Sequence, residues 1–366
     1  METVDVNAHL HTPYSFSAFD SVAQALDMAV KEGVKVVGIN DFYSMDGYRE
    51  WSVGCASRRL FPLFNIEFIS LNTEDQAAGV RVNDPNNPGR TYLSGKGLAY
   101  PVILKGKEAA LLAGVREESN AQVEKMCLKL NALLDSVKAG FNLSFAEIRE
   151  KLTRGSVRER HLAKALRLAV EVRFASDEDR LAFYEKVFGG KPLSSPLNDL
   201  AAVENEIRSK LLKAGGAAFV PEDPKAFLPM DTVRDIILAA GGIPTYPFLA
   251  DNAKGEFTDF EEDLEKCADI LKKRDIRSYE FITTRNTASV LDDYASYLVD
   301  EGFTVTFGSE HNTPAMEPIK LRTRDRDGLT DKLRKINYLG ACKIAAHQNG
   351  MDSVEDGDAI ISGTIM

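Results

Sequence analysis

The stretch Val4-Asp5-Val6-Asn7-Ala8-His9-Leu10-His11-Thr12 reads as a short strand that finishes on two histidines one residue apart. In extended backbone, residues i and i+2 lie on the same side, so both imidazoles can reach one ion. The chain has 366 residues and only five histidines, and imidazole is the commonest protein ligand of divalent metals. The alternative is an edge strand carrying two solvated rings. Metal ligation is the reading taken forward.

Working outward, Val22, Ala25, Leu26 and Ala29 form a helical stripe between Ser21 and Gly33. The apolar run Val34-Lys35-Val36-Val37-Gly38-Ile39 follows as a buried strand ending in Asn40-Asp41. That is a β-α-β unit. A helix over 46–59 and a strand over 63–71 continue the alternation, which predicts parallel strands with their carboxyl ends on one face. In barrels that face carries the chemistry.

Residues 72–98 break the rhythm with Asn83-Asp84-Pro85-Asn86-Asn87-Pro88-Gly89-Arg90 and Ser94-Gly95-Lys96-Gly97, read as a long surface or anion-binding loop. From 107 to 217 the pattern becomes helix after helix. Val123, Met126, Cys127, Leu130, Leu133, Leu134 and Val137 recur at the 3.6 period, and Ser144, Ser156 and Ser176 are expected N-caps. This region is expected to be a helical insertion subdomain, with 1–106 and 218–366 forming one α/β barrel. The second half predicts helices at 231–240, 259–273, 287–301 and 330–348, and strands at 242–247, 278–283 and 303–309.

Composition bounds the function. Hydrophobic residues make up 44% of the chain, enough for a large core, and the net charge of −10 argues against a surface built to neutralise a nucleic-acid polymer. The four cysteines, Cys55, Cys127, Cys267 and Cys342, show no CxxC spacing, which fits a reducing compartment. No basic leader and no stretch of roughly 20 apolar residues is visible, so the expectation is a cytoplasmic protein without a membrane partner. Oligomeric state is not legible.

His9, His11, Asp41, Glu67 and Glu310-His311-Asn312 all fall at expected strand carboxyl ends, where distant segments of a barrel converge. A mixed N/O donor set suits Zn²⁺, Mn²⁺ or Fe²⁺ better than Mg²⁺ or Ca²⁺. Arg90, Lys96, Arg160 and Arg285 are candidate anion clamps because cationic side chains, guanidinium above all, suit anionic oxygens.

The runs Asn7-Ala8-His9-Leu10-His11-Thr12 with Ser15, Gly38-Ile39-Asn40-Asp41, Asn65-Ile66-Glu67 and Gly308-Ser309-Glu310 resemble, in order and spacing, the successive motifs of the polymerase and histidinol phosphatase (PHP) superfamily. Arg158-Glu159-Arg160-His161-Leu162-Ala163 is similar to a segment of the helical insert in nucleotide phosphatases of that superfamily. The resemblance implies a distorted (β/α)7 TIM-like barrel that hydrolyses phosphoesters with metal-activated water. This chain departs from the pattern at Phe16, Phe42, Tyr246 and Asn312, and the histidine expected near Val102 is missing. What the resemblance retains is His9, His11, Glu67 and Glu310, with His311 as a further ligand, which implies one divalent transition metal per chain. The roles that follow are Asp41 orienting or deprotonating the water, Tyr246 assisting the leaving group, and Arg160, His161 and Asn312 contacting a small anionic, phosphorylated substrate. A binding protein that kept the barrel, or an amide or lactone hydrolase or proton-transfer enzyme using one metal, are the rivals.

Overall fold

The computed structural model describes residues 2–366. β1 (Asp5–Leu10) carries the two histidines at its end, and α1 (Val22–Lys31) is capped by the Ser21 side chain, which accepts from Gln24 N–H at 3.1 Å. β2 (Val34–Phe42), α2 (Tyr48–Ala56) and β3 (Phe61–Leu71) follow, with β1, β2 and β3 parallel and adjacent.

The stretch read as one long loop is organised otherwise. A short α3 (Thr73–Ala78) is followed by β4 (Arg90–Lys96), which runs antiparallel to both its neighbours, β3 and β5 (Ile243–Phe248). Asn83 makes this possible: its side chain accepts from Tyr92 N–H at 2.8 Å and donates to the carbonyls of Tyr92 and Pro247, tying the turn to two strands. Asp84 folds the Pro/Asn turn back by accepting from Asn86 and Asn87 N–H. Val102 lies past β4, outside any strand, so the strand after Glu67 is not where it was sought.

β5, β6 (Ser278–Ile282) and β7 (Thr304–Gly308) are again parallel, separated by α10 (Leu264–Lys273) and α11 (Ala288–Asp300). The seven strands therefore stand in sequence order, and backbone bonds bring the last back to the first: Glu310 N–H to His9 O at 3.0 Å and His11 N–H to Glu310 O at 2.8 Å. Gly308 lies against His9 at this seam with no room for a Cβ. The architecture is a nearly closed seven-stranded α/β barrel.

Two cores flank the strands. Most strand and helix residues share one cluster around Trp51, Tyr246, Phe281 and Leu298, and a smaller one joins Val6, Ala8, Phe61 and Leu63 to Tyr338 and Ala341 of α12 (Asp331–Gln348) and Ile361 of α13 (Val354–Ile365). The Asn337 side chain pins α12 to the sheet by accepting from Phe307 N–H and donating to Val6 O.

Between β4 and α9 (Met230–Ala239), helices α4 (Gly106–Ser136), α5 (Phe145–Leu152), α6 (Glu159–Arg173), α7 (Asp177–Val187) and α8 (Leu200–Ile207) build a third core of their own from residues between Val123 and Ala218. Ser144 and Ser176 cap α5 and α7. Ser156 caps nothing: α6 starts at Glu159, and the Ser156 hydroxyl is buried without a hydrogen-bond partner. Among the described residues, no helix is long and apolar enough to cross a membrane.

Candidate metal centre

Strand β1 sends His9 and His11 to the same side, and β3 brings Glu67 to meet them. Their facing atoms are His9 Nε2 and His11 Nε2, 3.2 Å apart, and Glu67 Oε2, which lies 3.0 Å from His11 Nε2 and 3.5 Å from His9 Nε2. All three residues are buried. Four-coordinate Zn²⁺ with bonds of about 2.05 Å holds its donors about 3.3 Å apart, so the spacing matches one tetrahedral ion with an open position. Glu67 Oε2 also has no hydrogen-bond partner other than the two facing imidazoles, so a cation would engage it without displacing another donor. The Asn40 amide nitrogen lies 2.9 Å from His9 Nε2, a contact that an ion held by the trio would replace.

The outer nitrogens are held from behind. His9 Nδ1 lies 2.9 Å from Glu280 Oε2, which fixes the tautomer that leaves Nε2 free. His11 Nδ1 meets Ser15 Oγ at 3.1 Å, and Ser15 donates to Asp41 Oδ1 at 2.6 Å. Thr12 adds its N–H at 2.7 Å and its hydroxyl at 2.5 Å to the same carboxylate. Asp41 thus stands behind His11. Burial raises its pKa, opposed by His11 and these donors. Burial alone would depress His9, but the carboxylates of Glu280 and Glu67 carry it up to about 9, and Glu67 is lowered against its own burial by the imidazoles.

Other expected site residues are placed elsewhere. Glu310 and His311 both adopt left-handed backbone, φ +65° and +58°, and this sharp turn presents the Glu310 carboxylate to Arg285 at 2.5 Å. His311 stacks on Phe19 at 4.8 Å and spends both ring nitrogens, on Ser309 Oγ and on Glu317 O, each at 2.8 Å. Neither joins the donor trio, and Arg285 is engaged by Glu310. Asn312 sits half-buried in the following loop. Arg90 pairs with Glu222 and lies over Phe227. Lys96 is fully buried on Glu280.

Tyr246 corrects a second expectation. It packs among Phe248, Tyr279 and Phe260, and its hydroxyl donates to Glu261 Oε1 at 2.8 Å. The tyrosine belongs to the layer between strands and helices, so it faces away from the trio. Glu261 also accepts from Leu249 and Ala250 N–H, and burial pushes its carboxyl from about 4.5 up to about 8 despite these donors. Between those two values the folded chain keeps a proton that the unfolded chain releases, so stability falls as pH rises. Glu261→Gln removes this titration. The melting temperature of the parent relative to the variant is expected to drop between pH 5 and pH 8, and a pH-independent difference in scanning fluorimetry contradicts it.

The insertion roofs the centre. Arg158, at the start of α6, lies 5.0 Å over Phe42, which stacks on His11 at 4.8 Å. Arg160 lies 5.5 Å over Phe16, and the buried His161 ring meets the same Phe16 edge-on at 5.0 Å. His161 Nδ1 accepts from Arg158 N–H at 2.9 Å, and burial pushes its pKa down to about 3. Among the described residues Arg158 forms no ion pair, while Arg160 bonds only Asn205.

The sequence reading missed Glu280, Ser94 and the supporting role of Asn40. One signal was available for Glu280: a lone acid inside the otherwise apolar strand Ser278-Tyr279-Glu280-Phe281-Ile282.

No protein-family model matches the chain, and no curated protein matches it. Solved structures share the fold. A protein assigned as a metal-dependent phosphoesterase from Bifidobacterium adolescentis is 15% identical with a TM-score of 0.55, covering 90% of this chain and 94% of its own. An amidohydrolase from Chromobacterium violaceum, solved with bound sulfate and no metal, is 15% identical with a TM-score of 0.58, covering 91% and 95%.

Proposed function

We propose that this chain is a metal-dependent hydrolase of the PHP type, acting on a small phosphorylated substrate at a single divalent ion. The observation that carries the proposal is the buried trio of His9 Nε2, His11 Nε2 and Glu67 Oε2 at ion-ligand spacing. Held by these residues, a divalent cation supplies Lewis acidity toward a substrate oxygen and makes water acidic enough to attack at neutral pH. Glu280 and the Ser15–Asp41 pair hold the two imidazoles in register. Phe42 and Phe16 shield the centre from bulk water, which strengthens every charge interaction within it.

The phosphoryl group is received by the roof. Arg158 offers an unpaired guanidinium above Phe42, and Arg160, whose side chain bonds only Asn205, stands beside it over Phe16. Two solved structures of the same fold carry phosphoesterase and amidohydrolase names, which supports a hydrolase without choosing the bond. The two-His-one-Glu donor set also serves metallopeptidases, so an amide is the second reading.

The test is metal analysis of the full chain combined with hydrolysis of a generic phosphomonoester and a generic anilide. One transition metal with phosphomonoester turnover supports the proposal. Metal with only amide turnover supports the second reading, and a chain that retains no Zn²⁺, Mn²⁺ or Fe²⁺ overturns both. Arg158→Ala is expected to raise KM for the phosphomonoester by about 10- to 100-fold, the worth of one charged hydrogen bond, with metal content unchanged. An unchanged KM in steady-state kinetics removes Arg158 from substrate binding.

A further inference from the structure

Lys96 is among the largest fully buried side chains of the molecule. Its ammonium lies 2.5 Å from Glu280 Oε2, 3.2 Å from Ala8 O and 3.3 Å from Asn40 Oδ1. Glu280 accepts in addition from Ser94 Oγ at 2.5 Å and faces His9 Nδ1 at 2.9 Å. Side chains of β1, β2, β4 and β6 can meet in this way only inside the barrel. The lysine charge is therefore one carboxylate, that of Glu280, away from the donor trio, and no part of it reaches solvent.

A buried charge is stable only when it is matched nearby. Around the trio the buried carboxylates are Glu67, Glu280, Asp41 and Glu310; Glu310 is matched by Arg285, and Lys96 is the fully buried cation facing the other three. Ligation requires both imidazoles to give up the proton on Nε2, and in that state the remaining three negative charges against one positive leave a deficit of two. One divalent ion closes it, and a second would leave the same excess of positive charge in a space shut off from water.

We propose that Lys96 is a built-in cation that takes the place of a second metal ion: by neutralising Glu280 it limits the centre to one divalent ion, and it positions Glu280 against His9. The proposal rests on the metal-centre reading above. It makes Lys96 a positioning residue, since its ammonium acts through Glu280 and faces no substrate.

The experiment is metal stoichiometry on the full chain, stripped with chelator and then equilibrated with excess Mn²⁺ or Zn²⁺. The parent is expected to hold one ion, and Lys96→Gln, which frees the Glu280 charge, to hold two. One ion in both proteins, or two in the parent, overturns the role of Lys96 while the metal-centre reading stands. No ion in the parent overturns that reading and this proposal with it.

A pair of charge-removing variants guards against a Lys96→Gln chain that fails to fold. Glu280→Gln uncovers the ammonium and is expected to weaken the first ion about 100-fold. Adding Lys96→Met to Glu280→Gln removes the repulsion and is expected to restore affinity to within about tenfold of the parent. A double variant that binds no better than Glu280→Gln alone overturns the proposal.

Discussion

His9→Ala is expected to empty the centre of its ion and to lower phosphomonoester hydrolysis by at least about 10³-fold. Loss of one electrostatic donor typically costs 10²–10³, and here the group that activates water is lost as well. The reason lies in the geometry: His9 supplies one of three donor atoms, and its other nitrogen is the link to Glu280. The fold is expected to survive, because Glu280 keeps Lys96 and Ser94 as partners. Elemental analysis and turnover are read together with the melting curve. A His9→Ala chain that retains its metal and its rate refutes the trio as the reacting centre.

The second large effect concerns the seam. A Cβ at Gly308 would be driven into the Cβ of His9 and stand 2.9 Å from its nitrogen and 3.0 Å from its Cα. Gly308→Ala can be accommodated only if β7 moves off β1, and that movement strains the backbone bonds between Glu310 and residues 9 and 11. A destabilisation of about 3 kcal/mol or more is expected, as for overpacking in a rigid core, seen as a melting point lower by roughly 4 °C or more for a chain of this length. Metal affinity should fall with it, because the moving strand backs a ligand. Gly114→Ala is the control: that glycine lies inside α4 with open space where its Cβ would stand, and the change is expected to be neutral or to stabilise by up to about 1 kcal/mol. Equal effects of the two substitutions in thermal denaturation would remove the seam argument.

Much of this architecture was legible because its signals are local. The apolar runs of β2 and β3, and the stripe of α1 between Ser21 and Gly33, define their elements without tertiary help. β4 was not legible: Arg90-Thr-Tyr-Leu-Ser-Gly-Lys96 is short and polar at its end, and its strand state depends on Asn83 bridging to β5, more than 150 residues away. α13 was passed over for a similar reason, since Val354–Ile365 earns its place by packing Ile361 against Tyr338 and Phe61. At the site, His9 and Glu67 lie on strands recognised from the sequence and His11 directly follows one, and alternation dictates which side these three face. Residues in the turn after β7 were not, since the left-handed backbone of Glu310 and His311 has no signature in non-glycine residues. Tyr246 failed on register: one position along β5 separates the lumen from the helix layer.

The seam between the first and last strands also sets a schedule. During synthesis the donor atoms of β1 and β3 leave the ribosome early, while Glu280 and the β7 rim follow some 200 residues later, a delay of roughly 10–40 s at usual elongation rates. Throughout that interval the imidazole pair has neither its buttress, Glu280, nor the enclosure that β7 completes. Under the proposed function, the centre therefore gains its full ion-binding geometry only when the last strand closes on the first, late in the folding of the chain.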